Sequence, residues 1–176
     1  VFVGYKFGNL LATYPDYYKL KFTGHFSKRP HPQANQLADF TSWGVTGDGL
    51  FKPDVTAPGG DVYSSFNNGT YGLDSGTSMA SPHVAGAISL MKQVFQERYP
   101  DLQGEELQKL IKHLLMSTAI PNYNNETKAF TSPRQQGAGV IDVSKAAFGD
   151  LYVTGDNDYG SISLGNVQDT FKFNVV

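Results

Sequence analysis

The feature that most constrains the fold of this 176-residue chain is an apolar repeat over residues 84–95, at steps of three and four. This spacing predicts an amphipathic helix. Pro82 fits its first turn, where a missing N–H costs nothing, and Tyr99-Pro100 ends it. Small apolar residues crowd the start of the repeat: Ala80, Ala85 and Ala87. Because they leave almost no polar face, we expect this end of the helix to be deeply buried.

Shorter patterns predict further elements on both sides of this helix. Residues 103–117 carry a second apolar stripe, with Glu105 and Glu106 in the first turn, and predict a second helix. Strand-like runs cover residues 37–43 and 62–63.

The two ends of the chain differ from its middle. Residues 1–5 form a strand-like run, so we expect sequence to precede them. A short Ala-bearing helix is predicted at 144–148, and the composition changes at Gly149 to an alternating pattern without helical spacing. This last stretch predicts the beginning of an all-β domain.

Composition excludes several function classes. Charged residues make up 17% of the chain and the net charge is −2, so no basic field attracts nucleic acid. No apolar run reaches the roughly 18–20 residues of a membrane span. The absence of Cys excludes disulfides, thiolate nucleophiles and Cys-ligated metals. Four scattered His residues give no zinc-binding pair.

The segment before the first predicted helix holds the main candidate for chemistry. A glycine-bounded turn delivers Ser78 to the helix N-terminus, where backbone N–H groups are unpaired and the helix dipole is positive. A serine there can attack a carbonyl while its own N–H stabilises the oxyanion, and Gly76 permits close approach of a substrate. On spacing alone, the alternative is that Ser75, Thr77 or Ser78 simply caps the helix.

Residues 76–86, Gly-Thr-Ser-Met-Ala-Ser-Pro-His-Val-Ala-Gly, resemble the serine signature of the subtilisin-like serine proteases. Residues 40–44 and 52–59 resemble the strand blocks that precede that serine. Residues 132–143 resemble the end of the catalytic domain in the cell-envelope proteinases of streptococci and lactococci.

This resemblance implies a domain organisation. Residues 1–148 would be the C-terminal part of a three-layer α/β subtilisin-like catalytic domain with a parallel sheet. Within them, residues 1–34 would return from a protease-associated insert. Residues 149–176 would be the first strands of a fibronectin-III-like domain.

The resemblance also implies a secreted, cell-wall-anchored serine endopeptidase in which Ser78 forms an acyl-enzyme. Ser75, Gly76 and Thr77 would lie near the substrate and the oxyanion, and residues 71–75 would border the cleft on the leaving-group side. The substrates would be extracellular host proteins, with chemokines favoured over complement fragments and caseins. Met79, next to the nucleophile, would make the site sensitive to oxidation.

In this family a His takes the serine proton, an Asp orients the His and an Asn completes the oxyanion hole. The His, Asp and Asn residues here lack the family's settings for those roles. We expect His25 and His31 to be solvated loop residues, His83 to point away from Ser78, and His113 to be at the surface or partly satisfied. The neighbouring sequences of the candidate acids and of the candidate amide also do not resemble the family's blocks for these roles: Asp39, Asp54, Asp74 and Asn35. The catalytic partners are therefore predicted in an upstream segment of the same protein, and residues 1–176 alone are predicted to be inactive and poorly folded.

Two alternatives remain open from the residues themselves. The chemistry requires no cofactor, but residues 156–158, Asp-Asn-Asp, could hold a structural calcium ion instead of forming a β-turn. Since an isolated serine without its base is no activated nucleophile, the chain could also be a non-catalytic structural or adhesion fragment that retains the motif.

Overall fold

The computed structural model describes Thr13, residues 34–155 and residues 172–176. The chain divides into two compact units, Val1–Ala34 and Asn35–Val176. The boundary coincides with the end of the 1–34 segment predicted as an insert return, whose origin stays a prediction. Both His25 and His31 lie outside the described residues.

The second unit combines short hairpins with two long helices. Its elements are β1 (Val62–Ser65), a 3-10 turn (Asn67–Gly69), β2 (Tyr71–Asp74), α1 (Thr77–Arg98), α2 (Gly104–Ser117), β3 (Tyr123–Asn124), β4 (Ala129–Phe130), α3 (Pro133–Gln136), α4 (Val143–Phe148), β5 (Val153–Thr154) and β6 (Asn174–Val175). The predicted helices at 103–117 and 144–148 are confirmed. Each described strand belongs to a two-stranded antiparallel pair: β1–β2, β3–β4 and β5–β6.

The hydrophobic core lies where the C-terminal half of α1 meets α2 and α4. Its buried side chains are Met91, Phe95, Leu107, Ile111, Leu114, Leu115, Ala146 and Ala147. Arg98 ties the end of α1 to the end of α4, because its guanidinium donates to the Ala147 carbonyl at 3.2 Å and pairs with Asp150 at 3.1 Å. At about 1.5 Å rise per residue, Ser78 lies about 20 Å along α1 from Met91. The core therefore holds one end of the helix and the serine lies at the other.

The first half of α1 corrects the predicted deep burial. Of the three alanines expected there, only Ala87 is buried, while Ile88 is 39% and Leu90 60% exposed. The prediction was wrong because small apolar residues make a face that other elements can cover, and α2 and α4 cover only the later turns. Pro82 also lies deeper than predicted, as the sixth residue of the helix.

Of the predicted parallel sheet, the described residues show one parallel bridge, between Thr56 and Val140. Thr56 donates to the Gly139 carbonyl at 2.8 Å and accepts from the Ile141 N–H at 2.9 Å. The predicted strand over residues 37–43 is absent from this described stretch, where a turn closes from Thr41 to Ala38 instead. An alternating pattern becomes a strand only when a partner backbone pairs with it, and no described segment pairs with this one.

The last described residues pair as β5 and β6, with Val153 opposite Val175 and Thr154 opposite Asn174. This agrees in type with the predicted β segment, but a fibronectin-III-like domain stays a prediction. The candidate calcium residues 156–158 lie outside the described residues. Within the described ranges, no helix combines the length and apolar character that a membrane crossing requires.

Candidate active site

Ser78 is the second residue of α1, directly after Thr77 and the N-cap Gly76. The N–H groups of Met79 and Ala80 both donate to the Gly76 carbonyl, at 3.0 and 3.3 Å. Among the described residues, the Ser78 N–H has no acceptor, as expected for the first turn of a helix. A free donor at the positive end of the helix dipole therefore accompanies the serine.

The segment that precedes β1 supports this helix end. Gly76 donates to the Gly59 carbonyl at 2.8 Å, and Asp61 donates its N–H to the Ser75 hydroxyl, also at 2.8 Å. A Cβ on Gly59 would approach the Gly76 carbonyl oxygen to 2.7 Å and the Ala80 Cβ to 3.1 Å. Only glycine fits here, because the two segments touch backbone to backbone.

The capping alternative is wrong. The N-cap is Gly76, and no side chain caps the helix. The Ser75 hydroxyl is engaged instead with Asp61, and Thr77 and Ser78 lie inside the helix. Ser78 is exposed, and its hydroxyl has no hydrogen-bond partner in the described part of the chain. The serine is thus presented to solvent rather than used to end the helix.

Pro82 lies one turn after Ser78 and changes the helix there. A residue at this position would normally donate its N–H to the Ser78 carbonyl, and proline has no N–H. The Ser78 carbonyl is therefore left without its helical donor. The sequence analysis predicted Pro82 in the first turn of the helix, whereas it lies in the second turn.

A groove of about 390 Å³ opens beside Ser78. Its lining comprises residues 62–66, Asp74, Ser78, Met79, Pro82 and His83. Residue-type patterns did not predict this wall, although the Asn67-Asn68-Gly69 run that follows the strand-like residues 62–63 was a signal for the β1–β2 hairpin. Asn68 and Gly69 take up positive φ angles of 63° and 70° in that turn, which Asn and Gly tolerate.

The described histidines and acids do not form a base for Ser78. His83 lines the same groove as Ser78, and its Nδ1 is 2.8 Å from the Met79 carbonyl oxygen, so the expectation that it points away from Ser78 stays a prediction. His113 is 3% exposed and stacks on Tyr152 with ring centroids 5.3 Å apart, so the predicted surface position is wrong. Helix α2 packs on the core at that turn, and Tyr152 covers the imidazole.

Among the remaining acid and amide candidates, Asp54 pairs with Lys52 at 2.6 Å and the Asp74 Oδ1 accepts the Ser75 N–H at 2.8 Å. The backbone carbonyl of Asn35 accepts a hydrogen bond from the side-chain amide of Asn122 at 2.6 Å. Across residues 34–155 and 172–176, no three His, Asp or Glu side chains come together as a metal-binding cluster.

Comparisons with known proteins agree with the serine motif. The family model described as the subtilase family, peptidase S8, matches residues 16–139. A C5a peptidase of Streptococcus pyogenes serotype M6 is 42% identical over 175 residues, covering 99% of this chain and 15% of that protein. A PII-type proteinase of Lactococcus lactis subsp. cremoris is 41% identical over 154 residues, covering 78% of this chain and 8% of that protein.

Among solved structures, the prenylagaramide maturation protease PagA superposes with a TM-score of 0.51 and 26% identity. The match covers 66% of this chain and 39% of that one. The chain thus spans 15% or less of the length of the two curated relatives named above.

Proposed function

Because the chain belongs to the subtilase family and shares its subtilisin-like α/β fold, we propose that it is the serine-bearing part of a serine endopeptidase. The observation that carries the proposal is the placement of Ser78. Its exposed hydroxyl lies at the N-terminus of α1, beside an unpaired backbone N–H and at the edge of a groove. Hydroxyl nucleophile and oxyanion donor thus belong to one residue.

In the proposed reaction the Ser78 Oγ attacks the carbonyl carbon of a peptide bond and gives its proton to a His. The carbonyl oxygen becomes an oxyanion, which the Ser78 N–H stabilises. When the C–N bond breaks, the His passes that proton to the leaving amine. Water then hydrolyses the acyl-enzyme ester and restores the Ser78 hydroxyl. Ser75, Gly76 and Thr77 shape the approach to this carbonyl.

The His, its orienting Asp and the oxyanion Asn come from an upstream segment of the same protein in this proposal. His83, the one described imidazole at the groove, is engaged through Nδ1 with the Met79 carbonyl. The reaction requires no cofactor, and a structural calcium ion remains compatible with it.

The proposed setting is extracellular, in a secreted and cell-wall-anchored protein, and the proposed substrates are extracellular host proteins. Two relatives support a role as a proteinase, since one is named a C5a peptidase and the other a PII-type proteinase. Chemokines, which the sequence resemblance favoured, and C5a itself are therefore the first two substrates to test.

The test is covalent labelling of the full-length protein with a fluorophosphonate, which reacts with activated serines. We expect labelling of the wild type and none of Ser78→Ala. The control Ser89→Ala, which changes an exposed serine of the same helix whose hydroxyl donates to the Ala85 carbonyl, should label like the wild type. Equal labelling of wild type and Ser78→Ala would overturn the nucleophile. An unlabelled wild type would favour a non-catalytic structural or adhesion role.

A further inference from the structure

Two buried side-chain amides lie together outside the groove lining. Gln136, the last residue of α3, is 3% exposed and Asn122 is 7% exposed. The Gln136 Oε1 accepts the Asn122 backbone N–H, and the Gln136 Nε2 donates to the Thr131 carbonyl at 2.6 Å. The Asn122 Oδ1 accepts the Thr131 hydroxyl at 2.8 Å, and its Nδ2 donates to the Asn35 carbonyl. Each oxygen and nitrogen of the two amides therefore has a partner.

A buried polar network of this kind fixes geometry more than it adds stability. Burying an amide costs free energy that its hydrogen bonds only offset, and apolar groups of the same shape can serve stability as well. Hydrogen bonds are directional, however, so two fully satisfied amides specify how the segments that they join lie relative to one another. Here they join residues 120–122, Thr131 and the end of α3.

Gln136 also holds the segment that contains Thr56. The Gln136 carbonyl accepts the Thr56 hydroxyl at 3.0 Å. The residues that follow Gln136 pair with the same segment through their backbone. Ala138 donates its N–H to the Asp54 carbonyl at 2.9 Å, and the Gly139 carbonyl accepts the Thr56 N–H at 2.8 Å. The position of Gln136 therefore sets the position of this segment.

The segment leads from Thr56 to the helix end that carries Ser78. Gly59 lies three residues after Thr56, about 10 Å of extended chain, and Pro58 stiffens the connection by fixing its own φ angle. The Gly59 carbonyl accepts the N–H of Gly76, the N-cap of α1, at 2.8 Å. Because Gly59 and Gly76 touch backbone to backbone, a shift of the segment at Thr56 should move Ser78 as well.

We propose that Gln136 is a positioning residue for the reaction of Ser78. Its side-chain amide fixes the place of its own carbonyl, that carbonyl holds Thr56, and Thr56 aligns the segment on which the N-terminus of α1 rests. The inference rests on the proposed function of Ser78. Gln136 lies outside the groove lining, so it acts on the rate through the placement of the serine and not through contact with substrate.

The experiment measures the rate constant of fluorophosphonate labelling, and kcat and KM on an ester substrate, in the full-length protein well below its unfolding temperature. Gln136→Met keeps the length of the side chain and removes both of its hydrogen bonds. If 1 Å of misplacement costs about 100-fold in rate, a shift of about 0.35 Å at Ser78 costs about fivefold. We expect that loss in kcat and in labelling, with KM unchanged because the groove lining is intact.

Thr56 supplies a second, gentler pair of variants. Thr56→Val removes the hydroxyl that donates to Gln136 and should lower the same two rates. Thr56→Ser keeps the hydroxyl and should keep the wild-type rates. The double variant Gln136→Met/Thr56→Val should be no slower than the slower single variant, because both changes break one path. Losses that multiply would show that Gln136 does not act through Thr56.

Leu107→Ala is the matched control for stability. Leu107 is 1% exposed and belongs to the hydrophobic core, not to the polar network. Its truncation should lower the denaturant midpoint at least as much as Gln136→Met does, and leave labelling and kcat at the wild-type values. A merely structural Gln136 would give the same result as this control, a lower midpoint with unchanged rates, and the inference would be overturned.

The labelling of the wild type separates this inference from the proposed function. If the wild type labels at Ser78, and Gln136→Met and Thr56→Val label at its rate, the positioning role is overturned alone. If Gln136→Met does not fold, the comparison of Thr56→Val with Thr56→Ser decides by the same rates. If the wild type does not label, the proposed function fails and the positioning role fails with it.

Discussion

A substitution at Gly59 tests whether the backbone contact between Gly59 and Gly76 holds Ser78 in position. Replacing Gly59 by Ala would place a Cβ 2.7 Å from the Gly76 carbonyl oxygen and 3.1 Å from the Ala80 Cβ. Carbon–oxygen contacts ordinarily begin at about 3.3 Å, so one segment must move by about 0.6 Å. Overpacking of this kind costs about 1–3 kcal/mol in the free energy of unfolding.

The same displacement should also move the Ser78 hydroxyl and slow the reaction, because Gly76 is the N-cap of the helix that carries Ser78. A misplacement of about 1 Å costs roughly 100-fold in rate, so about 0.6 Å should cost roughly tenfold in kcat/KM. The loss should appear mainly in kcat and equally in the rate of fluorophosphonate labelling, since both report on the placement of the hydroxyl.

Gly60 gives the matched control, since a Cβ there would meet nothing within 4 Å. Gly60→Ala should therefore keep the wild-type kcat/KM and thermal midpoint. The assay compares both variants in the full-length protein by steady-state kinetics, labelling rate and thermal unfolding. If Gly59→Ala and Gly60→Ala behaved alike, the inferred backbone contact beneath Ser78 would be wrong.

Three further predictions follow from other parts of the chain. Phe95→Ala, at a site 1% exposed, should lower the free energy of unfolding by about 3–5 kcal/mol, against less than about 1 kcal/mol for Leu90→Ala, a side chain 60% exposed, as measured by denaturant titration. The hydrogen bond from the Lys145 N–H, followed by that residue's charge, lowers the pKa of the N-cap Asp142, so a carboxyl NMR titration should give a midpoint below about 3.9. The stability that this cap adds should be complete above about pH 3.9 and be lost as the pH falls through the folded pKa, so the difference in denaturant midpoint between the wild type and Asp142→Ala should shrink there. Peroxide should inactivate the wild-type enzyme and spare Met79→Leu, because Met79 lines the groove; equal loss in both would assign the damage elsewhere.

The helices were predictable because their signals are local. The stripe of α2 and the end of α1 at Tyr99 need only neighbours along the chain. The strand-like run at 37–43 failed for the opposite reason, since a strand depends on a partner distant in sequence. The predicted burial of Ala80 and Ala85 was wrong for a related reason, because a periodic pattern identifies an apolar face without identifying what covers it.

The candidate site also has one part that the sequence predicts and another that it does not. The motif around Ser78 predicted a serine at a helix N-terminus, and the structure places it there. The groove was not predictable, because it forms only where the β1–β2 hairpin folds back beside α1 and brings Val62, Phe66 and Asp74 near the serine. Residue types alone also missed the contact of Gly59 with Gly76, which depends on the close approach of two backbones.

The most direct measurement of the central claim locates the covalent intermediate. The full-length protein is mixed with an ester substrate, quenched in acid during turnover, digested and mapped by tandem mass spectrometry. We predict the acyl mass on Ser78, in the peptide that continues into Met79, and its absence in Ser78→Ala. An acyl group on another residue, or steady turnover by Ser78→Ala, would contradict the assignment of Ser78 as the nucleophile.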